Sequence, residues 1–140
     1  MASNALGAKA AILARLSAVP AFAGFQVTWS VPRVPERVWL MVGRVEWEST
    51  AWVTTRQVEE TFRVEVVVNV IVPGGTAEEA ERTAEDIADE ARTALMAEPS
   101  LGGLAIACTV APERVQSWPN PEGFEGQWTG VVSVTARKSR

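Results

Sequence analysis

The chain contains no histidine, no tyrosine and a single cysteine, Cys108, in 140 residues. Without histidine, neither a Ser-His-Asp triad nor a Cys-His pair can form, and a zinc site lacks its usual ligands. A lone cysteine forms no disulfide within the chain, which suits a reducing cytosol. The two aspartates, Asp86 and Asp89, lie three residues apart, so a general acid or base would have to be a glutamate, lysine, cysteine or terminus. We therefore predict no catalytic residue, no metal site and no cofactor.

Long apolar runs and strongly basic segments are also missing. No stretch approaches the ~18 apolar residues that a membrane-spanning helix needs, so no membrane partner is expected. The net charge of -4 is uneven: residues 1–57 carry +3, residues 58–103 carry -8 and residues 104–140 carry +1. The absence of a basic patch argues against specific nucleic-acid binding. An acidic surface is still compatible with DNA as passing cargo, because it repels phosphates.

Hydrophobic periodicity predicts a single domain over residues 1–140 in which helices and strands are segregated. Pro73-Gly74-Gly75 marks a turn, and Thr76 with Glu79 has the spacing of a capping box. The pattern predicts an α+β fold: a mainly antiparallel sheet with a long hairpin, and helices packed on one face. The predicted elements are an N-terminal helix at 5–18 (within 1–20), strands at 25–29, 37–42 (continuing irregularly to 47) and 58–72, a helix at 77–97, and strands at 104–112 and 128–136. The predicted irregular segments are a loop at 48–56, a long loop at 112–126 and a basic tail at 137–140.

The strongest strand pattern is the valine-rich run at 58–72, in which only Glu60 interrupts the apolar register. Fifteen residues at ~3.3 Å each would span about 50 Å, whereas a domain of this size has a radius of gyration near ~14 Å. We expect a hairpin arm, with 37–47 as partner, that reaches a neighbouring subunit. The alternative is a bend that divides the run into two strands.

Two helices have predicted inner faces. In the first, Leu6, Lys9, Leu13 and Leu16 follow one line after the candidate cap Asn4, and Ile12 widens this apolar face. In the second, a narrow face rich in alanine suits close packing on a sheet. That face consists of Ala80, Ala84, Ile87, Ala88, Ala91 and Leu95.

Six tryptophans are many for a chain of this length. Trp29, Trp39 and Trp128 lie in predicted strands and are expected in the core. The other three lie in or beside loops, where they either fold back on the core or anchor an interface. Mixed charge around two of them favours an interface at the 43–57 segment. The predicted subunit or partner interface comprises Arg44, Glu46, Trp47, Trp52, Arg56 and Trp118.

The order and shape of several segments between residues 34 and 137 carry a family resemblance. These segments are Val38-Trp39-Leu40-Met41-Val42-Gly43 with Val45-Glu46-Trp47; Arg56 to Ile71; Pro73-Gly74-Gly75-Thr76 before the second helix; the helix exit Leu95-Met96-Ala97-Glu98-Pro99-Ser100-Leu101-Gly102-Gly103; and a last strand that ends at Arg137. In this arrangement the chain resembles the tail terminator (tail-to-head joining) proteins of long-tailed bacteriophages, or a closely related neck protein. The prolines at 112–121 have no match in that pattern.

The resemblance implies a structural virion protein rather than an enzyme. It would form a homo-hexameric ring on the head-proximal end of the tail tube, stop tube polymerisation and join the tail to the head. Its partners would be itself, the major tail tube protein and a head-tail connector or head-closure protein, with assembly in the host cytoplasm. Acidic residues of the second helix, Glu78, Glu85 and Asp89, are candidates for the lumen of such a ring. A head-closure subunit, a small-molecule or peptide-binding module lidded by the 112–126 loop, and an enzyme that uses glutamates are the alternatives.

Overall fold

The structure is a computed structural model that describes residues 3–52 and 57–139, with the backbone alone at 49–52, 57, 138 and 139. Two α-helices and five strands make up the described fold. The helices are α1 (Ala5–Ser17) and α2 (Ala77–Met96), and a short 3-10 turn spans Pro20–Phe22. The strands are β1 (Gln26–Thr28), β2 (Val38–Trp52), β3 (Gln57–Pro73), β4 (Ala107–Asn120) and β5 (Gly123–Ser139).

One sheet contains all five strands, in the order β1-β2-β3-β5-β4. β1 pairs with β2 in parallel, and the other three pairs are antiparallel. Both helices pack on the same face of this sheet, and the core lies between the two layers. The predicted α+β architecture, with a mainly antiparallel sheet and a long hairpin, is therefore confirmed.

β3 is the central strand and runs unbroken for 17 residues, so the alternative of two strands separated by a bend is wrong. β5 accompanies it over its whole length, whereas β2 pairs with it from Val58 to Val70, with two bulges in β2, between Val42 and Val45 and between Trp47 and Ser49. From Val58 onward β3 does not extend beyond the core, as a projecting arm would: Val58 and Glu60, near its start, are 5% and 1% exposed. Contact of this hairpin with a neighbouring subunit stays a prediction.

The α2 helix begins as the sequence predicts. Gly74 has a φ of +66°, in the left-handed region that favours glycine. The Thr76 side chain then accepts a hydrogen bond from the Glu79 backbone N–H at 3.2 Å. The predicted inner face is confirmed: Ala80, Ala84, Ala88, Ala91 and Leu95 are buried, and Ile87 packs against the core.

The inner face of α1 is as predicted except at Leu6. Lys9, Ile12 and Leu16 are buried and Leu13 packs against the core. Leu6 is 60% exposed, and the buried positions of the first turn are Ala5 and Ala8. Ala5 and Ala8 face the core, and the neighbouring Leu6 therefore points outward. Asn4 precedes the helix without a side-chain capping bond.

Three segments predicted to be irregular lie within strands. The 112–126 region is the β4–β5 hairpin, because β4 extends to Asn120 and β5 begins at Gly123. Of the predicted 48–56 loop, residues 48–52 continue β2, and residues 53–56 lie outside the described part. The predicted basic tail belongs to β5 as far as Ser139.

Two of the three tryptophans expected in the core are there. Trp39 is 8% exposed and Trp128 is 5% exposed. Trp29, by contrast, is 41% exposed, because β1 ends at Thr28 at the edge of the sheet. The ammonium group of Lys9 lies 4.1 Å from the centre of the Trp29 ring, a cation–π contact.

Candidate subunit interface

The end of the sheet around the β2–β3 connection holds most of the predicted interface residues. We define the distal hairpin as β2 from Val45 to Trp52 together with β3 from Gln57 to Val64. Side chains of β2 and β3 alternate between the helix-covered face and the other face, which we call the open face. Because Phe62 is fully buried in the core, Trp47, its register partner, lies on the helix side.

On the open face, Arg44 forms ion pairs with two glutamates. Its guanidinium lies 3.0 Å from the carboxylate of Glu46 and 3.9 Å from that of Glu65. The first pair joins two predicted interface residues, as expected for neighbours on one strand. Arg44 and Glu46 are both more than half exposed, so each pair contributes at most about 1 kcal/mol. These charges remain free to exchange their present contacts for those of another protein.

A second set of charges, from β2, β3 and β4, extends across four adjacent strands of the open face, because β5 lies between β3 and β4. Arg63 of β3 lies 3.3 Å from Glu48 of β2 and 3.5 Å from Glu113 of β4. Nearer the end of the sheet, Arg137 lies 3.7 Å from Glu59. The face is therefore a mixed-charge surface rather than a single-sign patch, which is the composition of an interface rim.

Trp47 projects from the other side of the hairpin. It is 54% exposed, and its indole N–H donates a hydrogen bond to the Ser3 hydroxyl at 3.2 Å. An exposed tryptophan with one hydrogen-bonded edge is typical of interface anchors. The predicted interface is thus divided between the two faces, with Arg44 and Glu46 on the open face and Trp47 on the helix side.

Of the other three predicted interface residues, two have side chains outside the described residues, and one lies far from the distal hairpin. The Trp52 backbone ends β2 in register with Val58, and its side chain lies outside the described residues, as does all of Arg56. Trp118 is half-buried in β4, in register with Glu125, which pairs with Ile71 of β3. Thirteen residues of β3 separate that row from Val58, which is about 40 Å at ~3.3 Å per residue. The structure therefore does not bring Trp118 together with the distal hairpin.

Two further exposed apolar side chains near this end of the molecule were not in the predicted interface. Leu6 of α1 is 60% exposed, and Ile106, directly before β4, is 50% exposed. The Ile106 N–H donates to the Thr135 carbonyl at 2.8 Å, which places Ile106 beside β5. The outward turn of α1 and the position of the β4 edge are tertiary features that periodicity does not reveal.

A buried carboxylate anchors α1 to the distal hairpin. Glu60 is 1% exposed, and the Ser3 hydroxyl donates to its carboxylate, with the hydroxyl oxygen 2.8 and 3.0 Å from the two carboxylate oxygens. The carboxylate also accepts a hydrogen bond at 2.8 Å from the Asn4 backbone N–H, at the start of α1. A carboxylate at a helix N-terminus meets unpaired N–H groups and the positive end of the helix dipole. The one polar residue in the valine register is therefore structural.

The acidic residues proposed for a lumen are exposed on α2. Glu78 pairs with Arg82 at 3.0 Å, and Asp89 lies 4.0 Å from Arg92. Glu85 faces an open groove of about 370 Å³ between α2 and β4. The groove is lined by Glu85, Asp86, Ala88, Asp89, Arg92, Pro112, Val115 and Trp128.

Other ligand chemistry finds little support in the described residues. No group of three or more acidic or cysteine side chains there is placed to hold a metal ion. Cys108 is buried, and burial raises the pKa of its thiol above the ordinary value, which disfavours the nucleophilic thiolate. The lid proposed at 112–126 is a strand hairpin. Within residues 3–52 and 57–139, no helix is both long and apolar enough to cross a membrane.

Comparison with known proteins identifies the fold. No protein-family profile matches the chain, and no curated protein sequence matches it. Chains of solved structures do match. One of them is a chain from the virion of a native gene transfer agent particle, with a TM-score of 0.64 and 15% sequence identity, and the match covers 98% of this chain and 100% of that chain. At this identity the likeness establishes a shared fold, over the full length of both chains.

Proposed function

We propose that this chain is a structural subunit of a phage-like virion. The observation that carries the proposal is the fold shared along its whole length with a chain from a virion particle. The surface agrees with such a role, because Trp47, Leu6 and Ile106 are exposed at the same end of the sheet whose open face carries mixed charges. Exposed apolar anchors and a mixed-charge rim are suited to protein contacts rather than to bond chemistry.

The more specific proposal is a tail terminator. Here identical copies form a closed ring, most simply of six, on the head-proximal end of the tail tube. The ring contacts the major tail tube protein on one side and the head-tail connector or head-closure protein on the other. The sequence resemblance supports this position, and the two unlike edges of the sheet suit the heterologous contacts of a ring.

The proposed lumen surface is the exposed acidic side of α2. Glu78, Glu85 and Asp89 would keep passing DNA from adhering, because like charges repel. The proposal concerns orientation only, and a structure of the assembled ring tests it directly. Distances from the ring axis would decide it: α2 on the outer surface, with the open face of the sheet inside, would exclude this lumen.

Particles assembled without this protein distinguish the proposed positions. Loss of a terminator leaves the tail tube without its stop, so electron micrographs should show tails of uncontrolled length and heads without tails. Loss of a head-closure subunit should leave tails of normal length that fail to join heads. Particles that assemble and deliver DNA normally without the protein would contradict a structural role in the virion.

A further inference from the structure

Both outer edges of the sheet include a stretch that no described strand pairs with. β1 pairs only with Trp39–Met41, so among the described residues no strand flanks β2 on its outer side from Val42 to Trp52. β4 is the other outer strand, and none of the described strands pairs with its far side. Unpaired edges present rows of backbone N–H and C=O groups that can accept another strand.

These two open edges lie at the same level of the sheet. Glu46 pairs with Arg63, Arg63 with Ser133, and Ser133 with Thr109, so one row runs from the β2 edge to the β4 edge. The next row runs in the same way from Trp47 to Cys108. Edges at one level can meet without a shift along the strands. A closed ring needs this, because a head-to-tail contact that does not close generates a filament.

The strand directions also fit. β2, β3, β5 and β4 alternate in direction across the sheet, so β2 and β4 run oppositely. Copies related by rotation about an axis along the strands keep those directions. The β2 edge of one copy would then meet the β4 edge of the next in antiparallel orientation, as in three of the four pairs within the chain.

Proline restricts which part of β4 can pair. Pro112 and Pro119 lack the N–H that a new strand would require, and a bulge lies between Pro112 and Arg114. Residues 107–111 precede all three interruptions and are in regular register with β5. The pairing segment of β4 is therefore its first five residues.

Exposed apolar side chains lie beside both segments. Trp47 projects from the β2 edge and is 54% exposed, while Ile106 adjoins the first residue of β4 and is 50% exposed. Edge pairing between copies would bring these two side chains towards each other on the helix side. Burial of both would add apolar stabilisation to a short backbone ladder.

We infer that the β2 edge at residues 45–49, which includes the bulge between Trp47 and Ser49, binds the β4 edge at residues 107–111 of a second copy of this chain, which continues the sheet antiparallel from copy to copy. This inference rests on the proposed ring, and it names the surfaces that would close it. The partner is thus another copy rather than a peptide or a ligand.

Cysteine cross-linking tests this contact. The background is Cys108→Ala, and Glu46→Cys is combined in turn with Ala107→Cys, Thr109→Cys and Ala111→Cys, all at exposed positions. Within one copy, residues 46 and 109 are separated by three strand spacings of ~4.8 Å, about 14 Å in total. A disulfide requires Cα atoms within about 7 Å, so any bond must join two copies.

We expect at least one of the three pairs to convert most of the protein to covalent oligomers under mild oxidation, in a ladder that ends at one closed species. Each single-cysteine variant should give dimers at most. Glu46→Cys with Gln116→Cys is the matched control, since Gln116 is exposed on the same strand beyond Pro112.

Sedimentation of the unmodified chain distinguishes a failure of the edge contact from a failure of the proposed ring. Oligomers by sedimentation, without cross-linking in any of the three pairs, would overturn the edge contact and leave the ring intact. A monomer at all concentrations, and also within assembled particles, would overturn both. Cross-linking of the control pair as strongly as the test pairs would show that collision rather than docking forms the bonds.

Discussion

At the scale of single residues, the sequence predicts that Glu60 lies in a buried row of β3 but not which groups it binds there. Its position in the valine register marks it as the one break in an apolar row, and burial confirms that it lies inside. Its partners, Ser3 and the Asn4 N–H, are 57 and 56 residues away in sequence, so no local pattern identifies them. A buried carboxylate is tolerated here because a helix start supplies donors.

Replacing this carboxylate should destabilise the fold. Glu60→Ala removes the acceptor for the Ser3 hydroxyl and the Asn4 backbone N–H, the two donors at the start of α1. Bonds to charged groups contribute about 1.5–3 kcal/mol, so we expect a loss of that order in the free energy of unfolding from urea titration. Glu59→Ala, which removes a partly exposed pair with Arg137, should cost less than about 1 kcal/mol. Equal losses would argue against the anchoring role of Glu60.

The buried thiol of Cys108 should react only when the chain unfolds. Burial raises its pKa above the ordinary 9.0, so the folded chain holds the proton where the unfolded chain releases it. Between 9.0 and the raised value, the free energy of unfolding should therefore fall as pH increases. Iodoacetamide labelling followed by mass spectrometry should show protection in buffer and rapid modification in urea. Rapid labelling of the folded chain would contradict this assignment.

At the scale of elements, prediction succeeded where a period and its boundary signals agree. β3 has a long alternating run, and α2 begins at a capping residue after Gly74 and Gly75. The β4–β5 hairpin was missed because proline and glycine normally interrupt strands. β4 is an outer strand with one unpaired side, so it can accommodate Pro112 and Pro119, which lack an N–H, without losing a hydrogen bond between strands.

Gly126 of β5 allows α2 to pack closely on the sheet. A Cβ at Gly126 would lie 2.4 Å from the Ala80 carbonyl oxygen in the first turn of α2, and backbone there cannot rotate away. Gly126→Ala should therefore push α2 outward, and we expect a loss of about 1–3 kcal/mol in unfolding free energy. Gly24→Ala is the control, because nothing lies within 4 Å of its added Cβ. Thermal melting of both variants decides this: equal melting temperatures would exclude a tight contact at Gly126.

At the scale of the whole molecule, the interface prediction depended on neighbours in sequence. Arg44 and Glu46, two residues apart on β2, form an ion pair, but Trp118 lies at the other end of the sheet. Leu6 and Ile106 were not predicted to be exposed near the distal hairpin. Sequence proximity identifies residues of one strand, whereas a surface combines strands and helices that only the fold brings together.

Replacing Trp47 should weaken the association of copies more than it lowers the stability of one copy. Its ring is 54% exposed and makes one hydrogen bond, to Ser3, so Trp47→Ala should lower the monomer's unfolding free energy by no more than about 1 kcal/mol. As an interface anchor it should contribute about 2 kcal/mol or more to association. That loss weakens subunit association about 30-fold, which sedimentation across a concentration series can measure.

The matched control for this variant is Val34→Ala. Val34 is also apolar and is 79% exposed, but it lies in the segment between β1 and β2, away from the distal hairpin. We expect it to alter neither melting nor association. If Trp47→Ala lowered stability strongly and left association unchanged, Trp47 would be a packing residue, and the contact between copies would have to lie elsewhere. The comparison is decisive because both changes remove exposed apolar surface, and only one removes it beside an open strand edge.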